Sequence, residues 1–492
     1  MKRFVDFLKK NKLIITILII LIVGLTIYFK FFLKKEPITS KYEEIILNQP
    51  LKIEEPFKFE RVYGEKENDD LAVFINETYD GGYVVIGNTG GFIDGKYDQN
   101  MYIMKLDGNG NKIDERIYGE QEVINITSVK NTSDFGYIVA GSIRSDDLKN
   151  EDFYIIKFDR SFNKVWAKKY GDENLDEHTH SITGTSDGGY IFVGESTTYD
   201  IKRSYPLGDV HIMKLDNKGN KIWERVFGDK DFFDTASSIQ ETSDGGYIIA
   251  GYTESFTPGN FDFYIIKLDK NGNTRWEKNY GKEFNDYAFY IQETPDRGYI
   301  VSGNTEYFDK EKRCFLIGIL TIKLDKNGDK ISEKIYKMKN SNLSGLVKLT
   351  SNGGYTILGN VTTLDTIKNY IYILKLDKNG NKIWEKTYGG KGHDFARSFQ
   401  LTSDGEYIVL GASDYYCIDK FDFYIIRLDE NGDKIWERVF GDKEHFEIAT
   451  SIQETSDGGY IVAGYKKPFS GGYSDIYIIK LDHNGNIYEE KP

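Results

Sequence analysis

Acidic residues recur at two positions of this chain with the spacing of a repeat, and carboxylates are side chains well suited to hold hard cations. The first series opens one predicted strand in six copies: Asp70, Glu177, Asp234, Asp286, Asp394 and Glu447. Ile124 and Asn342 take that place in the other two copies. The second series opens another predicted strand: Asp152, Asp209, Asp262, Asp422 and Asp475. We expect both series to ring one end of a channel, and one interpretation is that they attract a divalent cation such as calcium, or a basic partner.

A structural interpretation of the same carboxylates is simpler. An Asp at the start of a strand commonly accepts hydrogen bonds from nearby backbone N–H groups and so fixes a turn. We favour that interpretation and predict no cofactor, while keeping the first acidic series as the candidate ligand or cation site.

Two further patterns look like metal sites only at first sight. In the LDxNGN turn, Asp269, Asn271 and Asn273 alternate, but the glycine and glutamate of an EF-hand loop are missing from their places. We therefore interpret the turn as a hairpin. Four of the six histidines fall in or beside variable connections without metal-ligand spacing, which favours surface residues: His178, His180, His393 and His445.

These residues belong to a repeat of about 52 to 57 residues. The tyrosine that follows its DGGY-type turn marks eight copies: Tyr83, Tyr137, Tyr190, Tyr247, Tyr299, Tyr355, Tyr407 and Tyr460. Periods of this length are typical of propellers or solenoids.

Each copy predicts four short strands, which we name a to d in chain order. In the fourth copy they are Ala236–Thr242, Tyr247–Tyr252, Phe263–Leu268 and Thr274–Tyr280. Glycine-containing turns at Asp244-Gly245 and Asn271-Gly272 predict a–b and c–d hairpins. Strands b and c are continuously apolar while strand d alternates, the pattern of a propeller blade packed between neighbours.

All five tryptophans occupy one position of strand d, which predicts a large apolar contact between neighbouring blades. They are Trp166, Trp223, Trp276, Trp384 and Trp436. Asp114 and Ser332 replace tryptophan in two copies, and Phe59 does so in an N-terminal fragment.

The sequence predicts an all-β, eight-bladed propeller of four-stranded blades over residues 56–492, preceded by one transmembrane helix. The last copy is too short for its strand d, and Phe57–Gly64 (FKFERVYG) matches Lys221–Gly228 (KIWERVFG). We therefore expect the N-terminal strand to pair with strand c of the last copy, at Ile476–Leu481, and to close the ring.

The N-terminal segment predicts membrane attachment. Residues 13–33 are long and apolar enough to span a bilayer as an uncleaved signal anchor. Residues 1–12 would form a cytoplasmic tail, because their basic residues outnumber those that follow the span, and residues 34–55 a linker. The propeller would then be extracytoplasmic. A net charge of −13 argues against nucleic acid as a partner.

The repeated pattern D-x-A…T-S-D-G-G-Y-I-V-A-G-Y-T…D-F-Y-I-I-K-L-D-x-N-G-N…W…Y-G-G resembles the bacterial and archaeal SBBP-type β-propeller repeats over residues 57–492. That resemblance implies an extracytoplasmic, often surface-attached domain without a defined reaction. The family's name implies seven blades, whereas eight are counted here. The KLDKNGNTRWEKNYG segment is also similar to pyrroloquinoline-quinone-type repeats, but the adjacent-cysteine pair of those enzymes is absent.

These observations favour a binding or scaffold module for an extracellular protein or a polysaccharide. The alternative is an enzyme with a site at the channel mouth, such as a quinoprotein-like dehydrogenase or a lyase. No GxSxG, Walker or Rossmann signature stands in its required context. The uniform a–b and c–d turns leave specificity to the variable connections, which share the opposite face: 90–99, 197–208, 254–261, 306–316 and 415–421.

Overall fold

Four-stranded antiparallel sheets, eight in number, make up the described part of the chain. The computed structural model describes residues 60–64, 68–93, 96–119, 122–145, 150–200, 205–256, 260–311, 313–337, 341–349, 354–363, 368–390, 392–417 and 420–487. All of these strands belong to the compact unit Lys58–Pro492. The eight-bladed, all-β prediction is therefore confirmed.

Strands a to d follow one another in each of the first seven blades. Blade 1 contains β2 (Asp69–Glu77), β3 (Tyr83–Ile93), β4 (Lys96–Leu106) and β5 (Lys112–Tyr118), and blade 2 contains β6 (Glu122–Asn131), β7 (Tyr137–Ser145), β8 (Asp152–Phe158) and β9 (Lys164–Tyr170). Blade 3 contains β10 (Asp176–Gly184), β11 (Tyr190–Asp200), β12 (Tyr205–Leu215) and β13 (Lys221–Phe227), and blade 4 contains β14 (Asp234–Glu241), β15 (Tyr247–Thr253), β16 (Asp262–Leu268) and β17 (Thr274–Tyr280).

The second half of the ring repeats this order. Blade 5 contains β18 (Asp286–Glu293), β19 (Tyr299–Asp309), β20 (Cys314–Leu324) and β21 (Lys330–Tyr336), and blade 6 contains β22 (Ser341–Leu349), β23 (Tyr355–Thr363), β24 (Asn369–Leu376) and β25 (Lys382–Tyr388). Blade 7 contains β26 (Asp394–Leu401), β27 (Tyr407–Cys417), β28 (Lys420–Leu428) and β29 (Lys434–Phe440), and blade 8 contains β30 (His445–Glu454), β31 (Tyr460–Pro468) and β32 (Asp475–Leu481).

The fourth strand of blade 8 comes from the other end of the chain. Strand β1 (Glu60–Tyr63) pairs antiparallel with β32, from Glu60 opposite Ile479 to Tyr63 opposite Ile476. The predicted anchor at 13–33, the linker and residues 57–59 lie outside the described residues. The described part of the chain contains no helix with the length and hydrophobicity of a membrane span.

The variable b–c connections are partly strand, which differs from the loops that we predicted. In blades 1, 3, 5 and 7, strand b is 11 residues long and continues past the sheet into a hairpin with strand c. Tyr299–Asp309, for example, pairs with Cys314–Leu324 along its whole length. Threonine, tyrosine and phenylalanine in these segments favour extended backbone, so the ladder continues into the connection.

A buried lysine fixes the a–b turn, and sequence reasoning missed it. Lys267, in the KLD element, is only 3% exposed, and its Nζ donates to Thr242 Oγ1 at 2.8 Å and to Asp244 Oδ1 at 2.9 Å. Ser243 of the same turn donates its backbone N–H and its hydroxyl to Glu293 of the next blade. These polar groups of the turn thus form hydrogen bonds with other parts of the propeller.

Each of the five tryptophans of strand d lies on a glycine of the next blade's c–d turn. A Cβ on Gly272 would meet Trp223 at 2.7 Å, and one on Gly328 would meet Trp276 at 2.9 Å. Both glycines also have φ near the left-handed region, at 76° and 79°, which glycine adopts without strain. The predicted apolar contact between blades is present, and it requires glycine for two independent reasons.

Between blades 1 and 2 the aromatic ring of this contact comes from the c–d turn instead of from strand d. Asp114 replaces tryptophan in blade 1, and the turn glycine of blade 2 is replaced by Phe162. Phe162 is 2% exposed and stacks on Tyr137 with ring centroids 4.9 Å apart, whereas elsewhere an indole packs on that tyrosine position. It keeps a φ of 61°, so its ring fills the space that an indole would take at the cost of backbone strain.

We expect a double-mutant cycle to expose this exchange. Phe162→Gly should lower the free energy of unfolding by about 3 kcal/mol, because it leaves a void. Asp114→Trp alone should lower it by about 1 to 3 kcal/mol, because the indole meets Phe162. Together they restore the usual indole–glycine contact, so the double variant should be more stable than the sum predicts by more than about 1 kcal/mol, measured by urea denaturation. Additive losses would show that the two sites do not share one space.

Candidate functional site

The six candidate carboxylates are buried at the boundaries between blades, which we call seams. Asp70, Glu177, Asp234, Asp286, Asp394 and Glu447 are each at most 4% exposed. Each lies at or near the start of strand a, on the face formed by the b–c and d–a connections, here called the loop face. Their carboxyl groups are therefore buried between neighbouring blades and are not open to solvent.

One oxygen of these carboxylates fixes the d–a connection. Glu177 Oε1 accepts the Asp172 N–H at 3.0 Å, Asp286 Oδ2 accepts the Lys282 N–H at 2.9 Å, and Asp394 Oδ2 accepts the Gly390 N–H at 2.8 Å. In each case the donor directly follows the glycine that comes after the last residue of strand d. This geometry is the turn-fixing role that the simpler interpretation predicts.

The other oxygen has a different environment. Glu177 Oε2, Asp234 Oδ1 and Asp286 Oδ1 are buried without a hydrogen-bond partner. At the seam between blades 2 and 3, a Cβ on Gly171 would lie against Asp152 Oδ1 and 2.8 Å from Glu177 Oε2. Carboxylates of the two acidic series thus meet over a glycine.

The two series are retained and lost together along the chain. At the seam between blades 1 and 2, Asn100 and Ile124 replace both carboxylates, and both side chains surround Gly119. Gly318 and Asn342 replace both in the corresponding positions of blades 5 and 6. Asp394 is the exception, since Tyr370 takes its partner's place. Joint loss indicates that the members of a pair act on each other.

Burial makes these carboxyls weak acids. It raises the pKa of Glu177 to about 8, with Asp152, Asp172 and Asp176 adding to the effect. It also raises the pKa of Asp209 and of Asp286 to about 6 each. Burial raises the pKa of Asp422, with repulsion from Glu447 adding to the effect, and burial also raises the pKa of Glu447. Ionising such a group leaves a charge that neither water nor a hydrogen bond fully stabilises.

A cleft of about 530 Å³ opens beside one of these seams, between blades 2 and 3. Its wall includes Tyr170, Glu177, Ser196, Asp209, His211 and Glu224. His211 stands where six other copies have tyrosine and one has leucine: Tyr102, Tyr154, Tyr264, Leu320, Tyr372, Tyr424 and Tyr477. Comparison of the strand c copies would have identified it, because it is the only histidine at that position in the sequence.

In blades 6 and 7, the tyrosine at this position donates a hydrogen bond to a glutamate of strand d. Tyr372 donates to Glu385 Oε2 at 2.8 Å, and Tyr424 donates to Glu437 Oε2 at 2.6 Å. A smaller cleft, of about 430 Å³, lies against Tyr372 and Glu385. In blade 3 the cleft is larger, and an imidazole faces it in place of the phenol.

His211 is held as a neutral, partly unsatisfied imidazole. It is 8% exposed, its Nδ1 lies 2.7 Å from Ser196 Oγ, and its Nε2 is buried without a hydrogen-bond partner. Burial lowers the pKa of His211 below its ordinary value, so the ring is neutral at pH 7. Since no carboxylate orients the imidazole through Nε2, the Ser196–His211 pair lacks the third member of a catalytic triad.

Aromatic side chains are concentrated on the loop face. One cluster joins Phe233, Tyr252, Phe261 and Tyr287, with ring centroids 5.1 to 6.4 Å apart. A second joins Phe395, Phe421, Phe446 and Phe469, with ring centroids 5.4 to 6.5 Å apart. Four phenylalanines of the b–c connections are exposed to solvent: Phe256, Phe308, Phe315 and Phe469.

Three of the loop histidines lie near carboxylates. His178 Nδ1 is 3.5 Å from Glu151 Oε2, and His180 Nε2 is 3.4 Å from Glu195 Oε2. Asp442, His445 and Glu447 have ligand atoms within 4.8 Å of one another. Lys466 Nζ lies 2.6 Å from Asp442 Oδ2, so an ammonium group already neutralises part of the negative charge of this cluster.

The geometry defines an eight-bladed β-propeller whose loop face carries buried carboxylate pairs and one histidine-lined cleft. No protein-family profile matches the chain, and no curated relative does. The resemblance to SBBP-type repeats therefore stays a prediction.

Solved structures of low similarity match the chain. A protein of unknown function from Bacteroides caccae is 11% identical, with a TM-score of 0.34 over 58% of this chain and 90% of its own. Puromycin hydrolase is 9% identical (TM-score 0.45, 81% of this chain and 58% of that one), and prolyl oligopeptidase B from Galerina marginata is 12% identical (TM-score 0.42, 82% and 56%). The chain spans less than two thirds of these two enzymes. The fold assignment rests on the blades described above.

The raised pKa of Glu177 predicts how stability depends on pH. The folded protein favours the neutral carboxyl, so this stabilisation is present below the ordinary pKa and is lost as pH rises through about 8. Glu177→Gln keeps a neutral side chain at every pH. Between about pH 5 and about pH 8, the unfolding midpoint of the native protein should fall relative to that of the variant.

The matched control is Glu173→Gln, on the same connection but exposed. Its midpoint should run parallel to that of the native protein at every pH. Parallel curves for Glu177→Gln as well would contradict the assignment of a neutral carboxyl at this seam.

Proposed function

We propose that the protein is a membrane-anchored, extracytoplasmic binding module that holds an extended ligand, a protein or a polysaccharide, on its loop face. The observation that carries this proposal is the histidine-lined cleft between blades 2 and 3. The side chain of His211 lines this cleft, and its Nε2 is buried without a hydrogen-bond partner. A ligand hydroxyl or amide that hydrogen-bonds this nitrogen would gain a contact that water-filled surface sites do not offer.

The difference between the two faces supports the proposal. The polar side chains of the turns on the opposite face form hydrogen bonds within the protein, for example those from Lys267 to Thr242 and Asp244. The loop face presents exposed phenylalanines on connections that differ between blades, whereas the exposed aromatic rings of the opposite face, Tyr79 and Phe135, lie on turns that are nearly the same in every blade. Aromatic side chains are enriched at recognition surfaces because they bury a large area at low entropic cost.

The spread of these aromatic residues indicates the size of the ligand. The cleft belongs to blade 3, whereas Phe256 extends from blade 4 and both Phe308 and Phe315 extend from blade 5. Phe284 of the intervening connection packs on Phe315 with ring centroids 5.0 Å apart. A polymer lying across blades 3 to 5 would contact all of them.

His211→Tyr tests the cleft because it restores the residue that most copies carry. Tyrosine should reach Glu224 as Tyr372 reaches Glu385, so the fold should be as stable as before. Affinity should fall at least about tenfold, since the imidazole is lost and the cleft is filled. Binding of the full-length protein would be compared on an array of glycans and an array of peptides, which also separates the two ligand classes.

Phe135→Ser provides the control, since Phe135 is 76% exposed on an a–b turn of the opposite face. It should leave binding unchanged. A ligand that binds His211→Tyr as well as the native protein would place the site elsewhere, and one lost in Phe135→Ser would overturn the choice of face.

We also propose that the pairing of β1 with β32 closes the ring in the full-length protein. The match between FKFERVYG and strand d of blade 3 supports it, as does the pairing of Glu60–Tyr63. Deletion of residues 56–64 leaves β32 with one unpaired edge and uncovers the apolar face that Ile476 and Ile478 share. The unfolding midpoint should drop by several degrees, while deletion of residues 40–48 in the linker should not change it.

A further inference from the structure

Two carboxylates from neighbouring blades meet at the seam between blades 3 and 4. A Cβ on Gly228 would lie 2.6 Å from Asp209 Oδ1 and closer still to Asp234 Oδ2. Asp234 is fully buried, and its Oδ1 has no hydrogen-bond partner, nor does Asp209 Oδ1. The seam therefore contains two buried carboxylate oxygens, one from each blade, without a proton donor.

The charges around this seam are acidic. Asp234 and Asp229 are the charged groups that act on Asp209, and both repel its ionised form. At other seams a basic side chain opposes the carboxylates: Lys169 acts on Asp152, and Lys282 acts on Asp286. A buried pair of carboxylates without a counter-charge is costly at neutral pH.

The seam between blades 7 and 8 solves the same problem with a side chain of its own. Lys466 Nζ lies 3.2 Å from Glu447 Oε1, at the seam where Glu447 and Asp422 meet. Lys466 pairs with strand a of blade 8 as Thr253 pairs with strand a of blade 4, opposite Asp234. Threonine brings no charge to the seam between blades 3 and 4, so that seam lacks the cation that its counterpart has.

We propose that a divalent cation, with calcium the best match, binds between Asp209 and Asp234. Calcium prefers carboxylate and hydroxyl oxygens, and this seam offers only oxygen ligands, with Ser255 Oγ already in contact with Asp234. The cation would join a strand of blade 3 to a strand of blade 4, as Lys466 serves blades 7 and 8. Asp209 also lines the cleft between blades 2 and 3, which gives the ion a route from solvent.

The test is calorimetric titration of the full-length protein with calcium chloride after chelator treatment, together with thermal unfolding. One ion per chain should bind with a dissociation constant of about 1 mM or below, and saturating calcium should raise the unfolding midpoint. Asp209→Asn and Asp234→Asn should each weaken binding at least about tenfold. Asp422→Asn, at the seam that Lys466 serves, should leave the calcium affinity unchanged.

Thr253→Lys gives the sharpest result, because it transplants the arrangement of blade 8 into blade 4. The variant should not bind calcium, and without calcium it should be more stable than the native protein. If the native protein takes up no heat and its midpoint does not move with calcium or magnesium, the proposal is wrong. A midpoint that responds to acid but not to either metal would mean that the pair shares a proton instead.

This inference shares Asp209 with the wall of the proposed ligand site, but it does not rest on that proposal. His211→Tyr should lose the ligand and keep the calcium response, whereas Asp234→Asn should lose the calcium response. Failure of one experiment therefore leaves the other standing. Loss of both properties in His211→Tyr would overturn the separation of the two sites and, with it, this assignment of the ion.

Discussion

The contact on which the ring depends is that of an indole with a glycine, which joins neighbouring blades at five of the eight seams. A blade has two apolar faces, and each is hidden only when the next blade is held at the correct distance. Trp276 sets that distance by lying on Gly328, where any Cβ would collide with the ring. The same glycine needs a φ of 79° to turn the c–d hairpin, so one residue serves both the fold within a blade and the packing between blades. At the seam between blades 1 and 2, where Asp114 replaces tryptophan, Phe162 fills the gap from the opposite side of the seam.

The seams also carry a cost. Glu177 is buried beside a second acid, the half-buried Asp152, and burial weakens the glutamate as an acid. One carboxylate oxygen offsets part of the desolvation free energy by accepting a backbone hydrogen bond that fixes the d–a connection. That connection orients the next blade. The other oxygen contributes nothing to that role, so the pair is either neutralised by a proton or served by a cation. Lys466 shows that a cation can be supplied by the chain itself.

Much of the fold could be predicted because each strand's own residues determine it. The strand d prediction Thr274–Tyr280 agrees with β17 at both ends, and the tryptophans lie between blades as expected. What could not be predicted depends on contacts between copies. From the sequence alone, Lys267 is expected on the surface, because its burial depends on the contact between strand c and the a–b turn. The second oxygen of Asp234 and the cavity beside His211 likewise exist only after two blades are brought together. His211 itself was visible in the sequence, as a single departure from a column of tyrosines.

The unequal b–c connections have a consequence for how a partner can bind the ring. From the first residue of strand b to the last residue of strand c, blades 3 and 5 have four residues more than blades 2, 4, 6, 7 and 8, and blade 1 has two more. The backbone thus has eightfold pseudosymmetry at the level of its sheets, whereas no rotation by a whole number of blades superposes all of its b–c connections. A symmetric partner therefore finds no set of equivalent connections around the whole ring, and a partner that recognises them binds in one orientation.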